Sequence, residues 1–591
     1  MKSLPLAPVI ALLVLAVALV YSNSLHNGFH LDDSYGLVDN PMIRDLSNIP
    51  EYFKDPRTLT TIRSNADYRP ILQITFALNY AISEYRPWSW HLLNLLLHSI
   101  VATALFLLGR RLLGTGRLVP LSWLSEAEGD LAAAGAALWF AVHPIGSGCA
   151  NYMWARSSLL VAAFVLPATV LHLRSLSPGG LPALATAVLL YLLALFTKVE
   201  AISFLAIVAL VELLALVTPP PEKRPMRARL ATAALRFAPY LLVSAGYLAV
   251  RAVLVPEYVE VQRHEADMTP YFYLLTQLRV WWLYVARFIA PVELVTDDKS
   301  YAVSHSLFDP FVLHALVGWL AVGALLLRAV FRAPVIAFLA LAFFVHLSPH
   351  SSVAPLAEMH NEHRPYLAST SLFLLAAVGV VLLARAIAGG RRWAAPAGFV
   401  AFALSWGAMT YARNRIWVDD ESFWSDILLK APHSTRAQLN YGLILMARGQ
   451  LAEAEQRFRE SIRLAPQYPV AFINLGIARD HQGDLKGALE AMDTAVRLTP
   501  NESGPYYWRG YTRARNRDFA GAVDDLQRAV QLDERDLKAR SELARTLNAL
   551  GRTDDARAVL RAGLPFDHVR FQAELDGLVP PPRVLDSERR K

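Results

Sequence analysis

"LPALATAVLLYLLALFTKVEAISFLAIVALVELLALV", residues 181–217, is hydrocarbon along most of its length, and Lys198 and Glu200 break it near the middle. About 20 helical residues cross the core of a bilayer. The stretch therefore reads as two spans, 181–197 and 200–217, joined at a charged turn. Charge is costly at such a place, so the turn either marks a tight hairpin or contributes to a site at the membrane face.

The same length rule applied along the chain marks nine more segments: 6–23, 91–113, 130–145, 157–174, 234–255, 311–330, 333–348, 367–387 and 394–411. Eleven spans are expected. The first resembles a signal peptide, but no clear A-x-A site precedes Leu25, and an uncleaved anchor is the preferred reading. Of the 591 residues, 54% are hydrophobic and 18% charged, against about 25% charged in soluble proteins. The apolar excess stops near Tyr411. Four regions follow: an all-α membrane domain over 1–411, a linker over 412–434, a soluble part over 435–570, and a tail over 571–591. The tail ends in the Pro-rich, charged "VPPPRVLDSERRK" and is expected to be disordered.

The formal charge of +7 does not call for nucleic acid, because the basic residues cluster in short loops between spans. Arg110, Arg111 and Arg117, then Arg174, then Lys223, Arg224, Arg227 and Arg229, then Arg328 and Arg332, then Arg385, Arg391 and Arg392 all fall on one side. The positive-inside rule makes that side cytoplasmic, together with the N-terminus. The opposite side receives the long loops 24–90 and 256–310 and, after an odd number of crossings, the soluble part. Ala-, Leu- and Arg-rich usage with the single Cys149 points to a bacterial inner membrane, with the outer face periplasmic. One cysteine allows no intrachain disulfide.

Gly442, Gly476, Gly510 and Ala544 recur every 34 residues, as do Ala454, Ala488, Ala522 and Ala556, and Phe458, Met492, Leu526 and Leu560. This period resembles the tetratricopeptide repeat, a helical hairpin in which small residues let two helices approach and a large one fills the groove. Four units are expected: 435–468, 469–502, 503–536 and 537–570, the last one degenerate and capping the stack. Such solenoids bind peptides or proteins; the bland alternative is a purely structural stack.

The outer loops carry the unusual polar residues. In "NGFHLDDSYG", Asp32 and Asp33 stand side by side just after the first span. Either suits a general base whose neighbour raises its pKa or orients the acceptor, and either could equally cap a short helix. Arg364 precedes Pro365, and Arg69 precedes Pro70. Such an arginine can hold a lipid phosphate by two parallel hydrogen bonds, or simply snorkel to headgroups. Lys198, Glu200, His143, Arg156 and His363 complete the candidates for carrier phosphate and substrate. Histidines on spans, His143 among them, more commonly bond helix to helix than bind metal. No zinc, Walker or GxGxxG motif appears, so no metal site and no certain cofactor are expected. A divalent cation bridging Asp32 or Asp33 to a phosphate is compatible with the pair but called for by nothing else.

The order "FHLDDSYGLVDNP", "YRPILQITFALNYAI", "SWHLLNLLLHSI", "HPIGSGCANYMWARSSLL", "FTKVEAISF", "YVARFIAPVELVTDDKSY" and "NEHRPYLAS", with repeats behind it, resembles the transmembrane and tetratricopeptide-repeat glycosyltransferases, relatives of the protein O-mannosyltransferases. The resemblance implies a C-type glycosyltransferase membrane fold. It also implies inverting transfer of a sugar, mannose being one candidate, from a polyprenyl-phosphate carrier to a hydroxyl, typically Ser or Thr of an exported protein brought by the repeats. Asp32 and Asp33 match the acidic pair that provides the base, and Arg364 the carrier-phosphate position. "TKVE" departs from the family's adjacent Lys-Glu by an inserted valine. The rival readings are a non-catalytic membrane-anchored repeat scaffold and a transporter or glycan polymerase. A transporter calls for charges near the midplane rather than at one face.

Overall fold

The computed structural model describes residues 4–578 apart from 63–65, 120, 218–224, 256–267, 297–300, 353–354, 357, 388 and 390. Lys223, Arg224 and most of the "DDKSY" motif lie outside the described residues, as does 579–591. Every described element is helical, and no strand occurs among the described residues. The chain divides into two compact units, 1–426 and 427–591.

In the first unit, proline opens helix after helix: Pro70–Ser83, Pro87–Leu113, Pro270–Ile289, Pro310–Arg332, Pro334–Leu347 and Pro365–Ile387. Its fixed φ suits the first turn, and its missing N–H is not needed there. The Glu126–Val142 helix begins instead on a reciprocal capping box between Ser125 and Glu128.

All eleven expected segments are helical. Among the described residues, six helices are long and apolar enough to cross a hydrocarbon layer: Pro87–Leu113, Arg156–Ser175, Val199–Val217, Met226–Leu254, Pro310–Arg332 and Pro365–Ile387. Glu126–Val142 with Pro144–Asn151, bent by 53°, makes a seventh if taken as one span, and Leu6–Val20, Leu181–Leu195 and Pro334–Leu347 are shorter apolar helices. Ala394–Arg413 is long enough, but Pro396, Ser405, Trp406 and Tyr411 dilute its apolarity.

Two expectations are corrected. The outer loop 256–310 contains the 20-residue helix Pro270–Ile289, which buries Tyr273, Thr276, Gln277, Val280 and Tyr284; its polar residues hid it from a hydropathy reading. Residues 412–434 are not a bare connector, since a 3₁₀ turn spans Asn414–Trp417 and a helix spans Asp420–Lys430.

In the second unit four helical hairpins follow the 34-residue period: Thr435–Ala447 with Leu451–Leu464, Pro469–Gln482 with Leu485–Leu498, Ser503–Arg515 with Phe519–Leu532, and Leu537–Ala549 with Thr553–Arg561. The recurrent glycines sit where nothing larger fits. A Cβ at Gly442 would lie 2.6 Å from the Phe458 ring, and at Gly476 or Gly510 2.9 Å from Met492 or Leu526. Gly476→Leu is therefore expected to destabilise this unit by about 1–3 kcal/mol through overpacking, read as a lower urea midpoint of its unfolding transition. The order continues past 570: helix His568–Asp576 buries Phe571 against Ala544, Leu547 and Leu560. The first residues of the expected disordered tail are thus part of the stack.

Candidate active site

Asp32 and Asp33 follow Leu31, a non-glycine residue held at φ 55°. Backbone strain of this kind concentrates at functional sites. A single π-helical turn, Ser34–Val38, comes next. Gly36 lies flat under Trp154, where any Cβ would fall 1.9 Å from the indole, so the acidic loop is pressed onto the Tyr152–Trp154 segment.

That segment gives the two carboxylates different environments. Asp33 is fully buried. It accepts backbone N–H bonds from His30 (3.1 Å), Met153 (3.3 Å) and Trp154 (2.8 Å). Burial pushes its pKa up to about 7, against the pull of those N–H groups and of His30. Asp32 is half-buried; its Oδ2 accepts a hydrogen bond from the Tyr152 hydroxyl at 3.0 Å, and its N–H donates to the Tyr152 hydroxyl oxygen at 3.2 Å. Asp33 is thus engaged by the fold, while Asp32 keeps lone pairs for an incoming donor. Among the described residues no group of three His, Cys, Asp or Glu is placed to hold a metal ion.

Cations approach from two directions. Arg69 stands over the Trp154 ring at 5.8 Å and is tied to Asp67 at 2.9 Å. His363 lies 6.4 Å, ring to ring, from Tyr152. Next to it, Ser158, Glu200, Ser203, His346, His350, His363 and Arg364 line one small pocket. Lys198 bridges to Glu200 at 2.8 Å, and His350 bonds the same carboxylate. Arg364 donates to the Glu358 carbonyl at 2.8 Å and meets the Glu358 carboxylate at 3.9 Å. Burial, then Lys198 and Arg364, hold His363 well below the usual imidazole range; burial also lowers Lys198. Arg69 and Arg364 each precede the first turn of a helix, whose N-terminal dipole adds positive potential. The arrangement suits a phosphate.

The structure does not bring His143 and Arg156 to this pocket, which corrects their assignment to substrate. His143 has both ring nitrogens occupied, Nδ1 accepting the Ile145 N–H and Nε2 meeting the Phe288 carbonyl, among Phe288, Phe373 and Trp406. Arg156, fully buried, ties Asn94, Asn79 and the Trp90 carbonyl together; it clamps helices. Sequence reading missed Tyr152, His350 and Asp67, and also the buried pair between Glu362 and Arg413 at 2.7 Å. Tyr152 lies within "HPIGSGCANYMWARSSLL", where nothing local distinguishes it from its neighbours.

Together these features define an all-helical membrane unit carrying an acidic pair near a small polar pocket that Arg364 helps line, followed by a repeat solenoid. The solenoid matches tetratricopeptide-repeat models over 424–469, 442–503 and 513–575. Up to about three quarters of the chain is similar to the protein O-mannosyl-transferases of the transmembrane and tetratricopeptide-repeat group, the family its motifs resemble. A Caenorhabditis elegans protein O-mannosyl-transferase is 24% identical over 77% of this chain and 63% of its own length. Protein O-mannosyl-transferase TMTC3 of Mus musculus is 33% identical over 29% of this chain and 17% of its own. The chain therefore spans less than two thirds of these relatives. A thermophilic tetratricopeptide-repeat protein of Thermus thermophilus is 24% identical over 29% of this chain and 96% of its own, with a TM-score of 0.24.

Proposed function

We propose that the protein is a membrane glycosyltransferase that moves a sugar, mannose by the names of its relatives, from a polyprenyl-phosphate carrier to a Ser or Thr hydroxyl of an exported protein. The observation that carries this reading is the unequal acidic pair: Asp33 locked by three N–H bonds, Asp32 open beside it and linked through Tyr152 and His363 to the Arg364 pocket. Asp32 takes the acceptor proton as the hydroxyl oxygen attacks the anomeric carbon from the face opposite the phosphate, inverting configuration. The bond from that carbon to the phosphate oxygen breaks. The electron pair leaves on the phosphate, where Arg364 and Lys198 offset the developing charge. A phosphate is already a good leaving group, so no general acid is required. Asp33 fixes the loop. The pocket faces the non-cytosolic side of a multi-pass inner-membrane protein with the C-type membrane fold, and the repeats hold the acceptor in the same compartment.

Tyr152→Phe tests the linkage. It removes the hydrogen bond to the Asp32 carboxylate, worth about 1.5–3 kcal/mol, together with the acceptor of the Asp32 N–H, and is expected to lower kcat about 10- to 100-fold while leaving KM for the carrier unchanged. A loss confined to KM contradicts the role given to Asp32. The scaffold reading is set apart by the same assay, because it expects Asp32→Asn and Asp33→Asn to leave the phenotype intact and deletion of 435–570 to abolish it.

A further inference from the structure

His30 stands two residues before Asp32, and the transfer mechanism gives it no role. It is 2% exposed, and both of its ring nitrogens meet acceptors. Nε2 lies 2.8 Å from the Trp417 carbonyl, and Nδ1 lies 2.8 Å from the Asp420 carboxylate. A neutral imidazole has one N–H and leaves one of these contacts lone pair to lone pair; only the imidazolium donates to both. The ring is also stacked on Phe423 at 5.0 Å and 12°.

The two segments so joined are the acidic loop and the turn and helix that follow the last expected span. From the loop side, the His30 N–H donates to Asp33 Oδ2 at 3.1 Å, and Gly28 N–H shares the Trp417 carbonyl at 3.0 Å. From the other side, the Trp417 ring stacks on Tyr152 at 6.1 Å and 19°, and Tyr152 holds Asp32. One side chain thus fixes the wall on which both carboxylates are set.

We infer that His30, as an imidazolium shared between Asp420 and the Trp417 carbonyl, is a positioning residue that latches the segment 414–423 onto the acidic loop and sets the orientation of Asp32. This rests on the transferase reading for its consequence, though not for the latch itself. The titratable groups that act on or feel the ring are Asp420 on the Asp420–Lys430 helix, Asp33 on its own loop, and His91 on the Pro87–Leu113 helix, which bonds the Asn27 carbonyl. Burial by itself lowers His30. The Asp420 and Trp417 bonds and the charges of Asp420 and Asp33 outweigh it, so its pKa stands above the usual imidazole value. The latch is therefore complete below the ordinary histidine range and is lost as pH rises through the raised folded value.

The test uses the full chain in lipid nanodiscs. Hydrogen exchange, corrected for intrinsic rates, is followed over 27–34 and 414–423 between about pH 6 and about pH 9. The wild type, His30→Gln and Asp420→Asn are compared, the last altering a carboxylate that is largely exposed. In the wild type both segments are expected to lose protection together as pH rises. Asp420→Asn keeps an acceptor but removes its charge, and is expected to move that transition down by about one pH unit. His30→Gln is expected to show low protection at every pH. Wild-type protection independent of pH, or an Asp420→Asn transition that coincides with the wild type, overturns the latch. Sugar transfer is measured in the same samples. The alkaline limb of kcat is expected to shift with the exchange transition, with KM for the carrier constant. An unshifted limb beside a shifted exchange transition overturns the positioning role. Exchange behaving as expected with no transfer at any pH removes the transferase reading and leaves the latch.

Discussion

Asp32→Asn is expected to reduce sugar transfer by about 10²–10⁴-fold, the span typical of losing a general base, with folding and carrier binding retained. The amide is nearly isosteric, and Tyr152 can still donate to its carbonyl oxygen. What disappears is the site that takes the acceptor proton. Asp33→Asn is a different experiment. Its amide group would face one or more of the N–H groups of His30, Met153 and Trp154, so it is expected to disturb the loop and lower stability as well as rate. The contrast is read by pairing turnover with thermal unfolding for each variant. Equal loss of turnover at unchanged stability in both would contradict the division of roles.

Glu362→Ala carries the largest expected effect on stability. Glu362 and Arg413 are 2% and 8% exposed and form two contacts, at 2.7 and 2.8 Å. Arg413 also donates to the Leu294 carbonyl at 3.0 Å. Removing the carboxylate strands a buried guanidinium, which costs about 3–5 kcal/mol when one partner of such a pair is lost. Glu362 directly precedes His363 and Arg364 at the end of the loop between the Pro334–Leu347 and Pro365–Ile387 helices, so affinity for a carrier phosphate is expected to fall with stability. Replacing both partners, Glu362→Met with Arg413→Leu, is expected to restore part of the stability, because no unpaired charge remains. Thermal unfolding of the single and double variants checks the order. A double variant less stable than Glu362→Ala contradicts it.

The repeats were readable because their constraint is local and periodic. Gly442, Gly476 and Gly510 must each meet one large side chain 16 residues later, at Phe458, Met492 and Leu526, and that leaves a register in the sequence. Long apolar helices were readable for a similar reason. The Pro270–Ile289 helix was not, since Thr276, Gln277, Arg279 and Arg287 interrupt its apolar run while packing makes it helical. The acidic pair was visible as two adjacent carboxylates. Their division of roles was not, because it comes from Tyr152, Met153 and Trp154, some 120 residues away. Arg156 looked like a phosphate ligand for the same reason: its partners Asn79, Asn94 and Trp90 come from other helices and show only when the chain is folded.

The most direct test is reconstitution of the purified full chain in liposomes with a polyprenyl-phosphate carrier bearing isotope-labelled mannose and a Ser/Thr-containing acceptor protein. The expected result is hexose on acceptor hydroxyls, with inverted anomeric configuration and one free polyprenyl phosphate released per sugar, in the wild type but not in Asp32→Asn. Label remaining on the lipid with the wild type, or passing to the acceptor equally well with Asp32→Asn, would contradict it.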